Sequence, residues 1–172
     1  KKDTIQEAIE VNELINKQIE VTMNELSCDG IWLAQFHNGG HFYPTGKSIQ
    51  KFSVFYEKTL PNVDGQSIYH TYQNVPCSLF SNSLAKLYKD KKLSIHASND
   101  EMYYDLNAFT KKFGSKSLYL MTLTDPDDHF IGILIISYNK KETILDEEQC
   151  IFLKHKVDIL GTMLTSYLHK EK

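Results

Sequence analysis

The sequence predicts an α+β domain built in three layers around a central antiparallel sheet of five to six strands. Two observations carry this prediction. A long amphipathic helix is indicated at each end of the chain, and short strand-like apolar runs separated by turn residues lie between them. We expect the two long helices to cover one face of the sheet and two shorter helices to cover the other.

Length and composition bound the rest of the prediction. The 172 residues predict a single domain spanning residues 1–172, and the 41% hydrophobic content is enough for a sizeable core. Because the chain begins with Lys1 and not with Met, we expect it to be a fragment. The helix at 1–26 would then continue a linker from an upstream segment. No run of eighteen apolar residues occurs, so we expect no membrane span within the fragment.

The charged residues and the cysteines argue against a nucleic-acid partner and against structural zinc. The net charge is −3 and all nineteen cationic residues are lysines. Without arginine, the planar fork that binds phosphates and guanine edges is missing, so we expect no nucleic-acid partner. Cys28, Cys77 and Cys150 form no Cys-x-x-Cys pair, which argues against structural zinc and favours a reducing, cytoplasmic setting.

The terminal helices are the most regular elements. Apolar residues recur at steps of three or four from Asp3 to Leu26. A second helix is predicted from Asp146, which can cap it with Gln149 reaching back, to about His169. Leu14 and Val21 fall off the first apolar stripe, and they are either a seam for a partner helix or ordinary partly exposed residues.

Five strands are predicted between these helices, at residues 31–37, 52–59, 93–96, 117–124 and 130–138. The last two strands flank an Asp-Pro-Asp-Asp turn and should form an antiparallel hairpin. The strand at 130–138 is apolar on both faces, so we expect it at the centre of the sheet. Gly132 within it indicates a close backbone approach or a bulge.

Two short helices are predicted in the middle of the chain. Ser78 is placed to cap the first, which runs to about Tyr88. The second is predicted from Glu101 to Lys112 and should end at Gly114.

The stretch Phe36–Tyr43 is the most chemically distinctive part of the chain. Histidines, an amide and two glycines crowd together there, and Asn38-Gly39-Gly40 predicts a turn between the first two strands. Three interpretations remain open. His37 and His41 could bind a metal with Glu57 from the paired strand, the hairpin could recognise a ligand, or it could be only a turn.

At this point the chain resembles a GAF domain, a sensor fold related to PAS domains. The resemblance covers nearly the whole chain and is clearest in the last third. There, the strand at 117–124, the acidic turn, the run Phe130-Ile131-Gly132-Ile133-Leu134 and the helix from Asp146 follow the order typical of these domains. The resemblance implies a small-molecule sensor or a dimerising module, with a pocket between the sheet and the two middle helices.

The resemblance does not identify a ligand or cofactor. The Asn-Lys-Phe-Asp-Glu run of the cyclic-nucleotide type is absent, and the cysteine set of the methionine-sulfoxide-reductase type is absent as well. Bilin-binding types need a pocket cysteine, and Cys77 is the only loosely placed candidate, in surroundings that do not match. The ligand therefore stays open, and so does its existence.

The candidate ligand-binding residues combine the hairpin, the next strand and the aromatic residues expected near the pocket. They are His37, Asn38, His41, Lys51, Phe55, Glu57, Tyr103, Tyr104 and Tyr119. Phe109 belongs to the same aromatic group. An aromatic cluster of this kind is also what an ordinary core contains.

Three functions are consistent with the sequence. The first is a small-molecule-sensing or regulatory module, homodimeric through its terminal helices. The second is a ligand-free interaction or assembly module. The third is a metal- or thiol-dependent enzyme using the two hairpin histidines with Glu57, or using Cys77. No nucleophile-elbow motif supports serine catalysis, and we expect no catalytic function.

Overall fold

The structure is a computed structural model that describes residues 3–61, 67–98 and 104–168. The helices in these ranges are α1 (Thr4–Leu26), α2 (Ser81–Asp90), α3 (Asn107–Phe113) and α4 (Glu147–Leu168). The strands are β1 (Gly30–His41), β2 (Ser48–Thr59), β3 (Val75–Pro76), β4 (Lys92–His96), β5 (Ser117–Thr124) and β6 (Phe130–Tyr138). Short 3-10 turns at Cys77–Phe80 and Tyr104–Leu106 precede α2 and α3.

The strands form one six-stranded antiparallel sheet in the order β3-β2-β1-β6-β5-β4. Alternate residues of the central strands point to opposite faces of the sheet. Leu33 and Leu134 pack in the core formed with α1 and α4, whereas Trp32 and Ile133 pack in the core formed with α2 and α3. The predicted three-layer α+β architecture is therefore confirmed.

The caps of the terminal helices explain where they begin. Asp3 accepts the backbone N–H of Ile5 at 3.0 Å and starts α1. Before α4, the N–H of Gln149 donates to Asp146 Oδ1 at 2.8 Å, and the N–H of Asp146 donates to Gln149 Oε1 at 2.9 Å. This reciprocal pair is the predicted capping box, and it is confirmed.

The middle helices depart from their predicted starts. Ser78 does not cap α2, because the chain first makes a 3-10 turn and α2 begins at Ser81. The N–H of Ser83, in the first turn of α2, instead donates to Asp105 Oδ2 at 2.9 Å, so the capping group comes from a distant part of the chain. The predicted start of the second middle helix, at 101–103, lies outside the described residues.

The predicted turn at Asn38-Gly39-Gly40 is wrong. β1 continues to His41, with Asn38 opposite Gln50 and a register shift between Asn38 and His41. The turn lies at 42–47, where the N–H of Phe42 donates to the carbonyl of Lys47 at 2.8 Å. Paired glycines supply backbone freedom that a bulge uses as readily as a turn, and Gly40 takes a φ of +95° within the bulge.

The first two strands extend beyond the rest of the sheet. β1 pairs with β6 only from Gly30 to Gln35, whereas its pairing with β2 continues to His41. The part of this hairpin at residues 36–52 is called the arm below. His37 and His41 therefore lie beyond the pairing with β6, and Lys51, opposite His37, also pairs with Pro76 of β3.

The predicted hairpin of β5 and β6 is confirmed, with β6 between β1 and β5. Gly132 marks the close approach that the sequence indicated, because a Cβ there would lie 2.5 Å from the carbonyl oxygen of Ala34. Among the helices in the described ranges, none has both the length and the apolar character needed to cross a bilayer.

Candidate functional site

A cavity of about 40 Å³ lies between the sheet and the layer of α2 and α3. The elements that build it are β1, β2, α2, α3, β5, β6 and the connection from β2 to β3. Its lining is almost wholly apolar or aromatic: Ala34, Phe52, Val54, Tyr72, Phe80, Ser83, Leu84, Leu87, Leu106, Phe109, Leu118, Leu120, Ile133 and Ile135. This is the location that the resemblance implied for a pocket.

The hydroxyl of Ser83 at the edge of this cavity is already occupied. Ser83 is 2% exposed, and its Oγ donates to Asp105 Oδ1 at 2.6 Å. Burial raises the pKa of the Tyr72 phenol on the lining, so that group stays neutral. The cavity therefore offers a ligand no charged contact from its lining residues.

Residues 67–76, called the strap below, contribute Tyr72 to the cavity wall. Ile68 is fully buried in the core with α2 and α3, and Tyr72 lies on the cavity lining with its ring centroid 5.4 Å from that of Phe109. The N–H of Val54 on β2 donates to the carbonyl of Tyr72 at 2.9 Å. Ile68 and Tyr72 are the sequence signal of burial in a segment that is otherwise mostly polar.

Glu57 fastens the strap to β2. Its Oε2 accepts the indole N–H of Trp32 at 2.9 Å and the backbone N–H groups of Ile68 at 2.8 Å and Tyr69 at 3.2 Å. Its Oε1 accepts the hydroxyl of Ser67 at 2.6 Å. These four donors occupy the half-buried carboxylate, so its first role in the described structure is to hold the strap.

His37 lies on the face of the sheet opposite the cavity. It alternates with Gln35 and Leu33, and Leu33 packs towards α1 and α4. The half-buried ring makes two hydrogen bonds, from Nδ1 to the carbonyl of Asn38 at 2.9 Å and from Nε2 to Ser53 Oγ at 2.8 Å. Because a carbonyl only accepts, Nδ1 carries a proton and Nε2 of the neutral ring accepts from Ser53.

The other arm residues have local roles. The side-chain oxygen of Asn38 accepts from Gln50 Nε2 at 3.1 Å, and His41 is exposed near the end of β1. Lys51 lies opposite His37, with its aliphatic stem against Gly39. The ring of Phe55, which is 55% exposed, lies 6.3 Å from that of His37 and is not part of the cavity lining.

Tyr119 does not line the cavity, contrary to the expectation that it would. It packs against the core of α1 and α4, and its hydroxyl donates to the carbonyl of Thr143 at 2.7 Å. The cause is register, because Leu118 and Leu120 on either side point towards the cavity and Tyr119 must point away. Tyr103 lies outside the described residues, and Tyr104 belongs to the 3-10 turn before α3.

Of the predicted pocket aromatics, the structure places Phe109 at the cavity. The ligand-binding role of the nine candidate residues stays a prediction, as does any role of Tyr103 and Tyr104. The structure divides the described candidates between two faces, because Glu57 lies on the Trp32 side and His37 and Lys51 lie on the Leu33 side.

Metal-ligating atoms converge in the described ranges only at the turn between β5 and β6, where those of Asp125, Asp127 and His129 lie within 4.8 Å of one another. His37, His41 and Glu57 form no such group, because the first and last lie on opposite faces of the sheet. Asp125 already accepts the N–H groups of Asp127 and His129 and the ring of His129, which accounts for this cluster structurally.

The three cysteines are unpaired. Burial raises the pKa of the Cys77 thiol, and burial with the adjacent Asp29 raises the pKa of Cys28 to about 12. A raised pKa disfavours the thiolate that a nucleophile requires. Cys77 packs at the edge of the core containing the cavity, where it acts as a small apolar side chain.

No protein-family model matches the chain, and no curated protein matches it. Solved structures do match. A GAF domain from Synechocystis sp. in its photoproduct state is 12% identical, with a TM-score of 0.68 over 91% of this chain and 94% of its own. The GAF domain/HD domain protein from Geobacter sulfurreducens is 10% identical, with a TM-score of 0.67 over 94% of this chain and 97% of its own.

A phycocyanobilin-bound GAF domain from a cyanobacterial phytochrome is 14% identical, with a TM-score of 0.65 over 97% of this chain and 96% of its own. Identities of this size establish the shared architecture and leave the activity open. The six-stranded antiparallel sheet and its two helix layers are consistent with the architecture of these structures: the chain has the GAF fold.

Proposed function

We propose that this chain is a regulatory sensor module that takes a compact apolar ligand in the cavity between the sheet and α2 and α3. The observation that carries the proposal is the cavity itself. Protein interiors contain few voids larger than a water molecule, so a cavity of about 40 Å³ with an apolar lining is a feature that requires a reason. Its position is also where the middle helices meet the sheet.

The lining determines the class of ligand. An engineered apolar cavity of about 150 Å³ stays dry and binds benzene or xenon, and a cavity of about 40 Å³ has room for a molecule of roughly the size of xenon. Here the Ser83 hydroxyl is engaged with Asp105, so a polar ligand would leave its own groups without partners on that side. The cavity favours a small hydrocarbon-like molecule, held by dispersion and by removal of apolar surface from water.

A bilin, as in the phycocyanobilin-bound relative, does not fit this cavity. A linear tetrapyrrole carries two propionate groups and the size of a large drug, for which pockets of about 300–1,000 Å³ are usual. The cavity is far smaller, and its lining contains no cationic side chain for the propionates. Cys77 is the nearby thiol, and burial keeps it protonated.

The small volume of the cavity also favours a second candidate, the ligand-free interaction or assembly module. In that case the void is a packing defect, and the domain acts through its surfaces alone. Binding of a small apolar probe at the cavity separates the two functions.

The test is NMR of the methyl groups of Leu118 and Ile135 with xenon. We expect saturable shifts there, and a thermal stabilisation that grows with probe concentration, since a ligand that binds only the folded state stabilises it. Leu84→Phe fills the cavity from its half-exposed rim and should abolish both effects. Leu79→Phe is the matched control, because Leu79 is 64% exposed in the turn before α2 and does not line the cavity.

Shifts that are absent in the wild-type protein, or that persist unchanged in Leu84→Phe, would overturn the sensor proposal. An unresponsive cavity would leave the assembly module as the function.

The output surface in this proposal is the groove between α1 and α4, where we place the helices of a second copy. Leu14 is 56% exposed and Val21 is half-buried on one stripe of α1, with Gln18 between them. Gln18 Oε1 accepts from Lys156 Nζ of α4 at 2.9 Å, so this stripe borders α4.

The unpaired thiols suit a cytoplasmic setting.

A further inference from the structure

The strap is held to the body of the domain by two buried side chains and by a set of hydrogen bonds. Its buried side chains are Ile68 and Tyr72, and the rest of residues 67–76 is half-buried or exposed. Segments with few buried apolar contacts open at a lower free energy than the core does. Because Tyr72 lies on the cavity lining, movement of the strap changes access to the cavity.

Three groups of hydrogen bonds oppose that movement. In the middle of the strap, Lys112 Nζ of α3 donates to Thr71 Oγ1 at 2.6 Å, and the N–H of Val54 donates to the carbonyl of Tyr72 at 2.9 Å. At the end of the strap near β3, Gln73 Nε2 donates to the carbonyls of Val54 and Tyr69, and the N–H of Asn74 donates to Ser53 Oγ at 2.9 Å. At the other end, the Glu57 carboxylate accepts from Ser67, Ile68 and Tyr69. The Glu57 carboxylate makes the largest charge-assisted set, with three bonds from the strap, and such bonds are about twice as strong as neutral ones.

Glu57 and its neighbours on β2 also contact the cavity wall and α1. The Oε2 atom that holds Ile68 accepts from Trp32, whose ring packs 5.9 Å from that of Phe109 on the cavity lining. Its neighbours on β2 face α1, with the Tyr56 hydroxyl donating to Asn12 at 2.5 Å. The other neighbour, Lys58, also contacts α1, where its Nζ lies 3.8 Å from Glu20 Oε2. One short piece of β2 therefore contacts the strap, the cavity wall and α1.

We infer that the strap is a gate over the cavity and that Glu57 is the positioning residue that latches it closed. Opening breaks the bonds from Ser67, Ile68 and Tyr69 together and frees Tyr72 from the cavity wall, while the bond from Trp32 to Glu57 stays within the sheet. The use of the gate for ligand entry rests on the sensor function proposed above, whereas the gate itself is testable with no ligand present.

The test is amide hydrogen exchange in Glu57→Gln. Glutamine keeps the shape of the side chain but has an NH₂ group in place of one carboxylate oxygen. This donor group would face the N–H and O–H donors of the strap and could not accept from them. We expect exchange at Ile68 and Tyr69 to rise at least tenfold, while amides of Leu120 and Ile135 in the sheet keep their wild-type rates. Exchange equal to the wild-type rate at the strap, or raised equally in the sheet, would overturn the inference.

Glu142→Gln is the matched control. Glu142 Oε1 accepts the N–H and the hydroxyl of Ser98, which is the same kind of clasp at another place on the surface. Its loss should leave Ile68 and Tyr69 protected. Ser67→Ala is a milder second variant at an exposed residue, expected to raise strap exchange severalfold without affecting the sheet.

Trp32 supplies an independent readout, since it is the only tryptophan in the chain. It is 1% exposed, and its indole N–H reports directly on the Glu57 carboxylate. Glu57→Gln should shift its emission and raise its quenching by acrylamide, and Glu142→Gln should do neither. If these signals change but xenon does not bind, the gate stands and the sensor function fails; if xenon binds and these signals are unchanged, the gate fails alone.

Discussion

His129 and Asp125 form the most clearly titrating pair among the described side chains. The hydrogen bond between His129 Nδ1 and Asp125 Oδ2, 2.8 Å long, raises the pKa of His129. The backbone N–H of His129 and the imidazole together lower the pKa of Asp125. The His129 side chain is 74% exposed, so water screens the pair, which shapes the turn between β5 and β6 and adds little to global stability.

We predict that Asp125→Asn lowers the pKa of His129 towards its ordinary value, measured by NMR titration of the imidazole. A raised pKa in the folded state contributes stability that is complete below the unfolded value of about 6.5 and is lost as the pH rises through the folded value. In Asp125→Asn this loss should occur at lower pH. Asp128→Asn is the control and should move the His129 titration less, because Asp128 acts only through its charge. An unchanged titration in Asp125→Asn would contradict the pairing.

Residue-level chemistry was the part of the site that the sequence predicted least. The composition of Phe36–Tyr43 drew attention to His37 and His41, but it does not reveal that Gly39 and Gly40 occupy a bulge. The roles of Ser53, Ser83 and Asp105 come from contacts between residues more than twenty positions apart, for which a single sequence carries no local signal.

At the scale of elements, Gly161 shows how closely α4 lies on the sheet. A Cβ at this position would collide with the backbone carbonyl oxygen of Thr124 on β5. Glycine inside a helix costs about 1 kcal/mol relative to alanine, so its presence here is explained by the close approach. The predicted apolar stripe of α4 located the buried face of the helix and not the distance at which it packs.

We predict that Gly161→Ala destabilises the domain by about 1–2 kcal/mol, since the overpacking cost exceeds the gain in helix propensity. Urea denaturation monitored by circular dichroism measures this change. Thr162→Ala, at the adjacent exposed position of α4, is the control and should be neutral or slightly stabilising. A Gly161→Ala protein as stable as the wild type would show that α4 can move away from β5 at little cost.

Elements with strong periodicity were predicted well. α1, α4, β5 and β6 lie within a residue or two of their expected bounds, because each buries one regular stripe or a continuous apolar run. β2 was harder, since a register shift opposite Leu33 and Ala34 breaks its alternation and places Val54 and Tyr56 on opposite faces. β3 is two residues long and has no periodicity to detect.

At the scale of the whole molecule, the acidic, partly apolar surface of α1 is the place where a second copy would act. Leu14 stands 56% exposed beside the groove shared with α4. Burying a glutamate there in an interface would cost several kcal/mol, because the charge would find no partner in an apolar seam.

We predict that Leu14→Glu weakens self-association at least tenfold, measured by sedimentation equilibrium over a range of concentrations. Ile144→Glu is the matched control, because Ile144 is 71% exposed but precedes α4 and lies outside the groove. It should associate as the wild type does. A wild-type chain that stays monomeric at high concentration, or a dimer equally stable in Leu14→Glu, would rule out pairing through this groove.

The three-layer arrangement could be predicted from the order of the elements along the chain. Helices at both ends and a hairpin before the last helix leave few ways to arrange an antiparallel sheet. The face of the sheet that each candidate residue occupies depends on the register of its strand. A shift of one residue moves every side chain of the strand to the opposite face. This is why the three-layer fold was predictable while Tyr119 was assigned to the wrong side of the sheet.

The arm has a practical consequence. Beyond Gln35, β1 is no longer part of the main sheet, and the exposed turn at 42–47 contributes no residue to either core. Foreign sequence is tolerated best at exposed loop tips of this kind. A fluorescent protein or an affinity peptide inserted after Gly46 should therefore leave the fold intact, which offers a place to label the domain while both of its terminal helices remain free.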